Sequence, residues 1–197
     1  VIRALTAHGY AIEDVRDWSA TGCVEPTMRG RHSGATSAIN VSIVAALEMA
    51  LNNGHHPLMG WDLGPETGSV DAGDFRTFED FFTAFESQMR FLIGQSIEYN
   101  NLLGLMYRKV RPSNPMSVFT RGCIEKGRTG VNGGARYNSS GATCIGLADV
   151  TDSLMVIKKL VFDEGAVSFV DLKKAIDENF AGHEALHAAV TRKALTK

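Results

Sequence analysis

The strongest constraint on folding is one segment that is apolar almost all round. Ile39, Ile43, Leu47 and Leu51 recur at four-residue spacing, Ala45, Ala46 and Ala50 fill the positions between them, and Gly54 follows. This pattern predicts a largely buried helix over 37–53, closed by Gly54 as its left-handed terminator. A chain of 197 residues is long enough to bury such a helix in one domain, or in part of one.

A second helix is predicted from Thr77, which can cap it with Asp80 three residues on, to about Tyr107. Its face of Phe78, Phe81, Phe82, Phe85, Met89, Leu92, Ile93 and Ile97 keeps helical spacing and reads as core rather than a cofactor box. Pro112 and Pro115 end it, and Met116, Phe119, Cys123 and Ile124 predict a short helix stopping at Gly127. A Gly-rich loop around Arg136-Tyr137-Asn138 and a buried strand from Ala142 to Leu147 come next. Helices are then expected over 149–164, with Leu154, Ile157, Leu160 and Val161 inward, and after Ser168, with Leu172, Ile176 and Phe180 inward. Gly182 separates the latter from a last helix carrying Leu186, Val190 and Leu195. The segment 55–73, with two Pro and several Gly, reads as an irregular loop. This order suits a helix-rich α/β layer architecture better than a bundle.

Composition removes several functions. Twenty Lys and Arg against 22 Asp and Glu give a net charge of -2, with no basic excess for a nucleic-acid backbone or a membrane surface. No apolar run reaches the roughly 18 residues of a spanning helix. Three cysteines without a CxxC pair fit neither a disulfide framework nor a structural zinc site, so a reducing cytoplasm is expected. The chain opens on Val-Ile-Arg and closes on Ala-Leu-Thr-Lys directly after a helical pattern, so an internal fragment of a longer protein is expected.

Chemistry concentrates in Thr21-Gly22-Cys23-Val24-Glu25-Pro26. Pro26 disfavours the α region at Glu25, and Gly22 lets the backbone bend, so Cys-Val-Glu should be extended at a turn. Residues i and i+2 of an extended segment share a face, which sets the Cys23 thiol beside the Glu25 carboxylate with Val24 on the other side. A nearby anion disfavours thiolate, so the pair suits a neutral S–H next to a proton acceptor rather than an ionic nucleophile. A neutral thiol beside a base is what hydrogen-atom chemistry requires; an ordinary turn with a buried thiol is the alternative.

The run Gly22-Cys23-Val24-Glu25-Pro26 is similar to the cysteine-loop motif of the glycyl radical enzymes, in the branch of glycerol and diol dehydratases, choline trimethylamine-lyase and hydroxyarylacetate decarboxylases. Ala46-Leu47-Glu48-Met49-Ala50-Leu51-Asn52-Asn53-Gly54 resembles the helix that follows that loop. Gly133-Gly134-Ala135-Arg136-Tyr137-Asn138, with Asp152-Ser153-Leu154 and Ile157-Lys158-Lys159-Leu160-Val161-Phe162, resembles the later barrel strand and helix. The resemblance implies an α/β fold that is part of a ten-stranded barrel, with residues 1–197 a single partial domain from its central to C-terminal part. It implies Cys23 as the thiyl residue and Glu25 as the base, acting by hydrogen abstraction followed by elimination or decarboxylation of a small organic substrate. It also implies a radical glycine on an Arg-Val-x-Gly-Tyr type segment, which these 197 residues do not contain. That radical is installed by a separate activating enzyme with an iron–sulfur cluster and S-adenosylmethionine, under anaerobic conditions. By the same resemblance the full-length parent is a homodimer, no cofactor is bound in this segment, and the segment alone is inactive.

One departure is local: where dehydratases commonly carry Gly-Trp-His-Asp after the motif, this chain has Arg31-His32-Ser33-Gly34-Ala35-Thr36. Glu25 fits the eliminating and decarboxylating members. Fumarate-adding succinate synthases need no such base, and formate acetyltransferase uses adjacent cysteines where Val24 stands here; both remain alternatives within the superfamily.

Arg136, Tyr137 and Asn138 lie among small residues that would admit a substrate, and a guanidinium can bind an anionic group bidentately, so these three are candidate substrate contacts; a structural role is the alternative. His55 and His56 read as a solvated loop rather than metal ligands, and no metal site is expected. His183 and His187 lack a His-Glu-x-x-His arrangement, Cys123 and Cys144 read as inert buried thiols, and glycines 127, 130, 133 and 134 lack the Lys-Ser/Thr of a phosphate loop. From other classes, His32 nine residues beyond Cys23 leaves a cysteine hydrolase open, and a non-catalytic scaffold predicts Glu25 turned to solvent.

Overall fold

A computed structural model describes residues 1–22 and 25–195. In chain order the elements are α1 (Ile2–Ala7), α2 (Ile12–Val15), β1 (Trp18–Thr21), β2 (Glu25–Met28), β3 (His32–Ser42), α3 (Ile43–Leu51), β4 (His55–His56), β5 (Trp61–Asp62), α4 (Phe78–Val110), α5 (Asn114–Val118), α6 (Cys123–Lys126), β6 (Tyr137–Ile145), α7 (Leu147–Ile157), α8 (Phe169–Asp177) and α9 (Glu184–Leu195). The architecture is mixed α/β and helix-rich, with two-stranded sheets β1–β2, β3–β6 and β4–β5. The chain divides into two compact units, Val1–Asn40 with Ser96–Thr143, and Val41–Gln95 with Cys144–Lys197.

The second unit holds the main apolar core. Ile43, Ala46, Leu47, Ala50 and Leu51 of α3 pack with Phe81, Ala84 and Phe85 of α4, Val150 and Ile157 of α7, and Phe169 and Leu172 of α8. Phe81 and Phe169 meet edge to face with centroids 4.9 Å apart, an arrangement that matches the positive ring edge to the negative ring face. Leu186 and Val190 of α9 pack against this cluster, as their spacing predicts.

The buried helix is shorter than its pattern suggests. Ile39 belongs to β3, and Ser42 caps α3, its hydroxyl accepting from Ala45 N at 3.2 Å. The β-branched positions Ile39, Val41 and Ile43 serve a period of two as readily as a period of four, and the strand takes the first two. At the other end Asn53, not Gly54, is the first left-handed residue (φ 51°), and Gly54 N donates to Met49 O at 2.7 Å, as in a Schellman terminus.

The segment after α3 is mostly irregular, as its Pro and Gly predict, with one short hairpin and a set of side-chain hydrogen bonds that pin it. His55 and His56, half-buried, pair with Asp62 and Trp61, and His55 Nδ1 lies 2.7 Å from Asp62 Oδ1. Asn53 Oδ1 accepts from Thr67 N (2.8 Å) and Gly68 N (2.9 Å). Fully buried Gln88 of α4 donates to Pro65 O (2.8 Å) and Thr67 Oγ1 (2.9 Å).

α4 starts where the capping pattern places it. Thr77 Oγ1 accepts from Asp80 N at 3.1 Å, and Asp80 Oδ2 accepts from Thr77 N at 2.9 Å and from Arg76 N at 3.2 Å. The hydrogen bonds from Thr77 hold the Asp80 carboxyl below the usual carboxylate range. α7 continues as a wider π-helical turn over Lys158–Asp163. Ser168 caps α8 by accepting from Asp171 N at 3.0 Å, with Leu172 buried, but Ile176 faces solvent and Phe180 adopts φ 58° and stacks on His187. Leaving the helix after Asp177 rotates Phe180 away from the stripe that Leu172 begins.

In the first unit the single helix expected after Pro115 is two, α5 and α6, because Gly122 (φ 98°) breaks the path between them; Gly127 (φ 59°) ends α6 as predicted. Cys123 is buried, but Cys144 is exposed. The strand expected over 142–147 is β6, which begins five residues earlier at Tyr137 and is mostly exposed. Its apolar run is not core because the backbone pairs with β3 while most of its side chains stay solvated.

Candidate active site

β1 and β2 form an antiparallel hairpin with register Trp18↔Met28, Ser19↔Thr27, Ala20↔Pro26 and Thr21↔Glu25. Pro26 has no N–H to give and holds Glu25 out of the α region, so Glu25 opens β2 as an extended residue, as the sequence predicts. Thr21 and Thr27 hydroxyls hydrogen bond at 2.7 Å across the strands. The pair Thr21↔Glu25 brackets positions 22–24 in the chain; Cys23 and Val24 lie outside the described residues. Gly22 has φ 69°, a left-handed conformation that suits glycine. The Glu25 carboxylate folds back over it, so that a β-carbon built on Gly22 would lie 2.9 Å from Glu25 Oε2. Glu25 is half-buried, not turned fully to solvent as a scaffold predicts.

The open end of this hairpin is clamped by charge. Asp17, just before β1, accepts from Arg29 Nη2 at 3.1 Å and from Arg31 Nη1 at 2.9 Å. The Arg31 hydrogen bond holds the Asp17 carboxyl below the usual carboxylate range, helped by the Arg29 charge. Arg31 Nε also faces buried Asp14 Oδ1 at 3.2 Å.

Of the three predicted substrate contacts, Arg136 and Tyr137 meet at Asp14. Arg136 Nε lies 2.9 Å from Asp14 Oδ2, and Tyr137 OH donates to the same oxygen at 2.8 Å. Tyr137 OH also accepts from Ala11 N at 3.2 Å, and the Arg136 guanidinium sits 5.6 Å from the Tyr137 ring centroid. Arg136 remains 47% exposed, which leaves part of its donor fork facing solvent. Asn138 is exposed and donates to Ala135 O at 2.8 Å.

Glycines make this segment fit. Gly122, Gly134, Ala135 and Arg136 approach backbone to backbone: a β-carbon on Gly122 would lie 2.8 Å from Arg136 N, and one on Gly134 would overlap the Arg128 carbonyl. Beside it His32 Nε2 hydrogen bonds with Ser139 Oγ at 2.7 Å, with Tyr10 and Tyr137 rings around it. Burial pushes the His32 imidazole below its ordinary pKa.

Asp14 is the residue that sequence reasoning missed. It lies in Ile12-Glu13-Asp14-Val15 among other acids, and no local spacing marks it out from Glu13 or Asp17. Among the described residues, no cluster of three or more His, Cys, Asp or Glu could hold a metal, and no helix is long and apolar enough to cross a membrane.

The family model described as pyruvate formate lyase-like matches residues 1–194. The chain is 36% identical over 193 residues to trans-4-hydroxy-L-proline dehydratase from Clostridioides difficile, covering 98% of this chain and 24% of that protein. It is 32% identical over 189 residues to (2S)-3-sulfopropanediol dehydratase from Klebsiella oxytoca, covering 96% of this chain and 23% of that protein. It superposes on the glycerol-bound B12-independent glycerol dehydratase from Clostridium butyricum with a TM-score of 0.87 at 30% identity, covering 95% of this chain and 23% of that one. The chain therefore spans about a quarter of the length of the curated relatives it matches.

Proposed function

The chain belongs to the pyruvate formate lyase-like family of glycyl radical enzymes, and from that membership we propose that it is the cysteine-loop portion of a dehydratase or lyase of that class. The supporting observation is the Glu25 carboxylate folded over Gly22 at the end of the β1–β2 hairpin, with Cys23 next in the chain. Residues 1–197 are one part of a single ten-stranded barrel domain. The exposed strand β6 and the apolar second half of α4, with Leu102, Leu103, Met106 and Val110 in solvent, are surfaces that further barrel elements would cover.

In this reading a glycyl radical outside this stretch, installed by a separate S-adenosylmethionine and iron–sulfur activating enzyme, takes H• from the Cys23 thiol. Cys23 sulfur then takes H• from a substrate C–H, leaving a carbon radical. Glu25 removes a proton from the heteroatom on that carbon, a hydroxyl or an amine, which weakens the bond at the neighbouring carbon; the leaving hydroxide departs with its electron pair and takes the proton back from Glu25, leaving as water. The product radical regains H• from the Cys23 S–H, and the thiyl is restored, so the turnover balances. Arg136, Tyr137 and Asn138 contact the substrate, with the solvent-facing part of the Arg136 guanidinium as the donor for a polar or anionic group. The substrate is a small polyol or hydroxy acid, as in the dehydratase relatives, and decarboxylation is the neighbouring chemistry that the same base supports. The parent works as a homodimer in an anaerobic cytoplasm, and this stretch alone does not turn over.

The test uses the complete protein, activated anaerobically, with glycerol and trans-4-hydroxy-L-proline as substrates. Cys23→Ser should keep the glycyl radical signal and lose turnover; turnover at the parent rate would overturn the reading.

A further inference from the structure

Asp14 is 6% exposed, and a buried carboxylate is costly unless it is paired and hydrogen-bonded. Its partners come from two distant places in the chain: Arg31 (Nε, 3.2 Å), just after β2, and Arg136 (Nε, 2.9 Å) and Tyr137 (OH, 2.8 Å), where β6 begins. The backbone repeats the connection. Tyr137 N donates to Arg31 O at 3.0 Å, Arg136 N to Arg121 O at 2.9 Å, and Arg121 N to Gly30 O at 2.7 Å. Asp17 adds a second carboxylate to Arg31, across the open end of the hairpin where Trp18 pairs with Met28.

Well-packed apolar side chains could hold these elements together at no desolvation cost. A carboxylate that accepts a directed hydrogen bond from the Tyr137 phenol while lying in ion-pair range of two guanidinium groups does something they cannot: the hydrogen bond demands a particular distance and angle, and the charge pairing draws both arginine-bearing segments to one point. We propose that Asp14 is the positioning residue that sets the cysteine hairpin against the Arg136–Tyr137 segment, so that the proton acceptor and the substrate contacts face one bound molecule. This rests on the radical-lyase reading for its consequence in turnover, but not for its consequence in hairpin geometry.

The experiment therefore has two arms on the full-length parent. In the unactivated protein, iodoacetamide labelling of Cys23 is timed by mass spectrometry in the parent and in Asp14→Asn, which removes the charge at nearly constant shape. In the activated protein, KM and kcat are measured on whichever of glycerol and trans-4-hydroxy-L-proline the parent turns over, with radical content counted by paramagnetic resonance. Labelling should change at least fivefold, KM should rise and kcat should fall at least tenfold, and radical content should be unchanged. Labelling and both kinetic constants within twofold of the parent would overturn the proposal. If Asp14→Asn does not fold, Arg31→Lys weakens one arm without touching the proposed substrate contacts; a fivefold change in Cys23 labelling and a fivefold fall in kcat/KM are expected, and parent values of both would overturn it. Turnover surviving Cys23→Ser would instead sink the radical reading and leave the labelling result standing.

Discussion

The Glu25 carboxylate lies over the α-carbon of Gly22, with Oε2 2.9 Å from where a β-carbon would stand. The atom in the way is the end of a flexible side chain, so a methyl group there displaces the carboxylate more readily than it disrupts the hairpin. The left-handed φ of 69° adds a backbone cost of about 1–2 kcal/mol for an L-residue. Gly22→Ala should therefore lower the unfolding free energy by about that amount, while turnover of the activated full-length protein falls at least tenfold. Chemical denaturation and initial rates check the two separately, and unchanged turnover would separate Glu25 from the reaction.

A different glycine should show the opposite balance. A β-carbon on Gly134 would overlap the Arg128 carbonyl and lie 2.8 Å from Thr129 O, and backbone cannot swing aside. Gly134→Ala should destabilise by about 1–3 kcal/mol, the range for overpacking. The midpoint of urea unfolding measures it.

The cap of α4 links stability to acid. Asp80's folded pKa is depressed, chiefly by the hydrogen bonds from Thr77, so its contribution is present above the unfolded carboxylate value and is lost as pH falls through the folded one. Thr77→Ala removes a cap worth about 1 kcal/mol at neutral pH. The difference between parent and variant should shrink below about pH 4, where the carboxylate titrates in the unfolded chain. Thermal unfolding at pH 7 and pH 3 tests this.

His32 carries the same sign in another pH window. Burial depresses its folded pKa, so the neutral ring is favoured and its stability contribution is present above the unfolded value of about 6.5. That contribution falls as pH drops from about 6.5 toward the folded value. His32→Gln should abolish this part of the pH dependence between pH 8 and pH 5, read from denaturation midpoints; a parent-like slope in the variant would contradict it.

What was legible in the chain and what was not divides by distance along it. The start of α4 is legible because Thr77 and Asp80 lie within one helical turn, and Phe81 and Phe85 are buried as their spacing predicts; Phe82, Ile93 and Ile97 of the same expected face are exposed, because a periodic stripe does not say how far along it a partner reaches. The constraint of Pro26 on Glu25 is likewise local, and Glu25 takes the extended conformation that Pro26 dictates. The start of α3 is not legible because Ile39 and Val41 fit two periods, and pairing of β3 with β6 decides between them. Asp14 was invisible because its meaning lies in Tyr137, 123 residues away, and no spacing rule connects them. Exposure of β6 and Cys144 was also illegible: an apolar run reports that a strand can be buried, not that something covers it.

The most direct measurement of the account is hydrogen exchange in the activated full-length Glu25→Gln variant, with substrate incubated in D2O. If Cys23 abstracts hydrogen and Glu25 acts as the base, deuterium from the solvent-exchanged thiol should enter recovered substrate at carbon, while product formation falls about 10²–10⁴-fold, the usual weight of a general base. Product formed at the parent rate, or loss of deuterium entry together with product, would contradict the division of labour between the two residues.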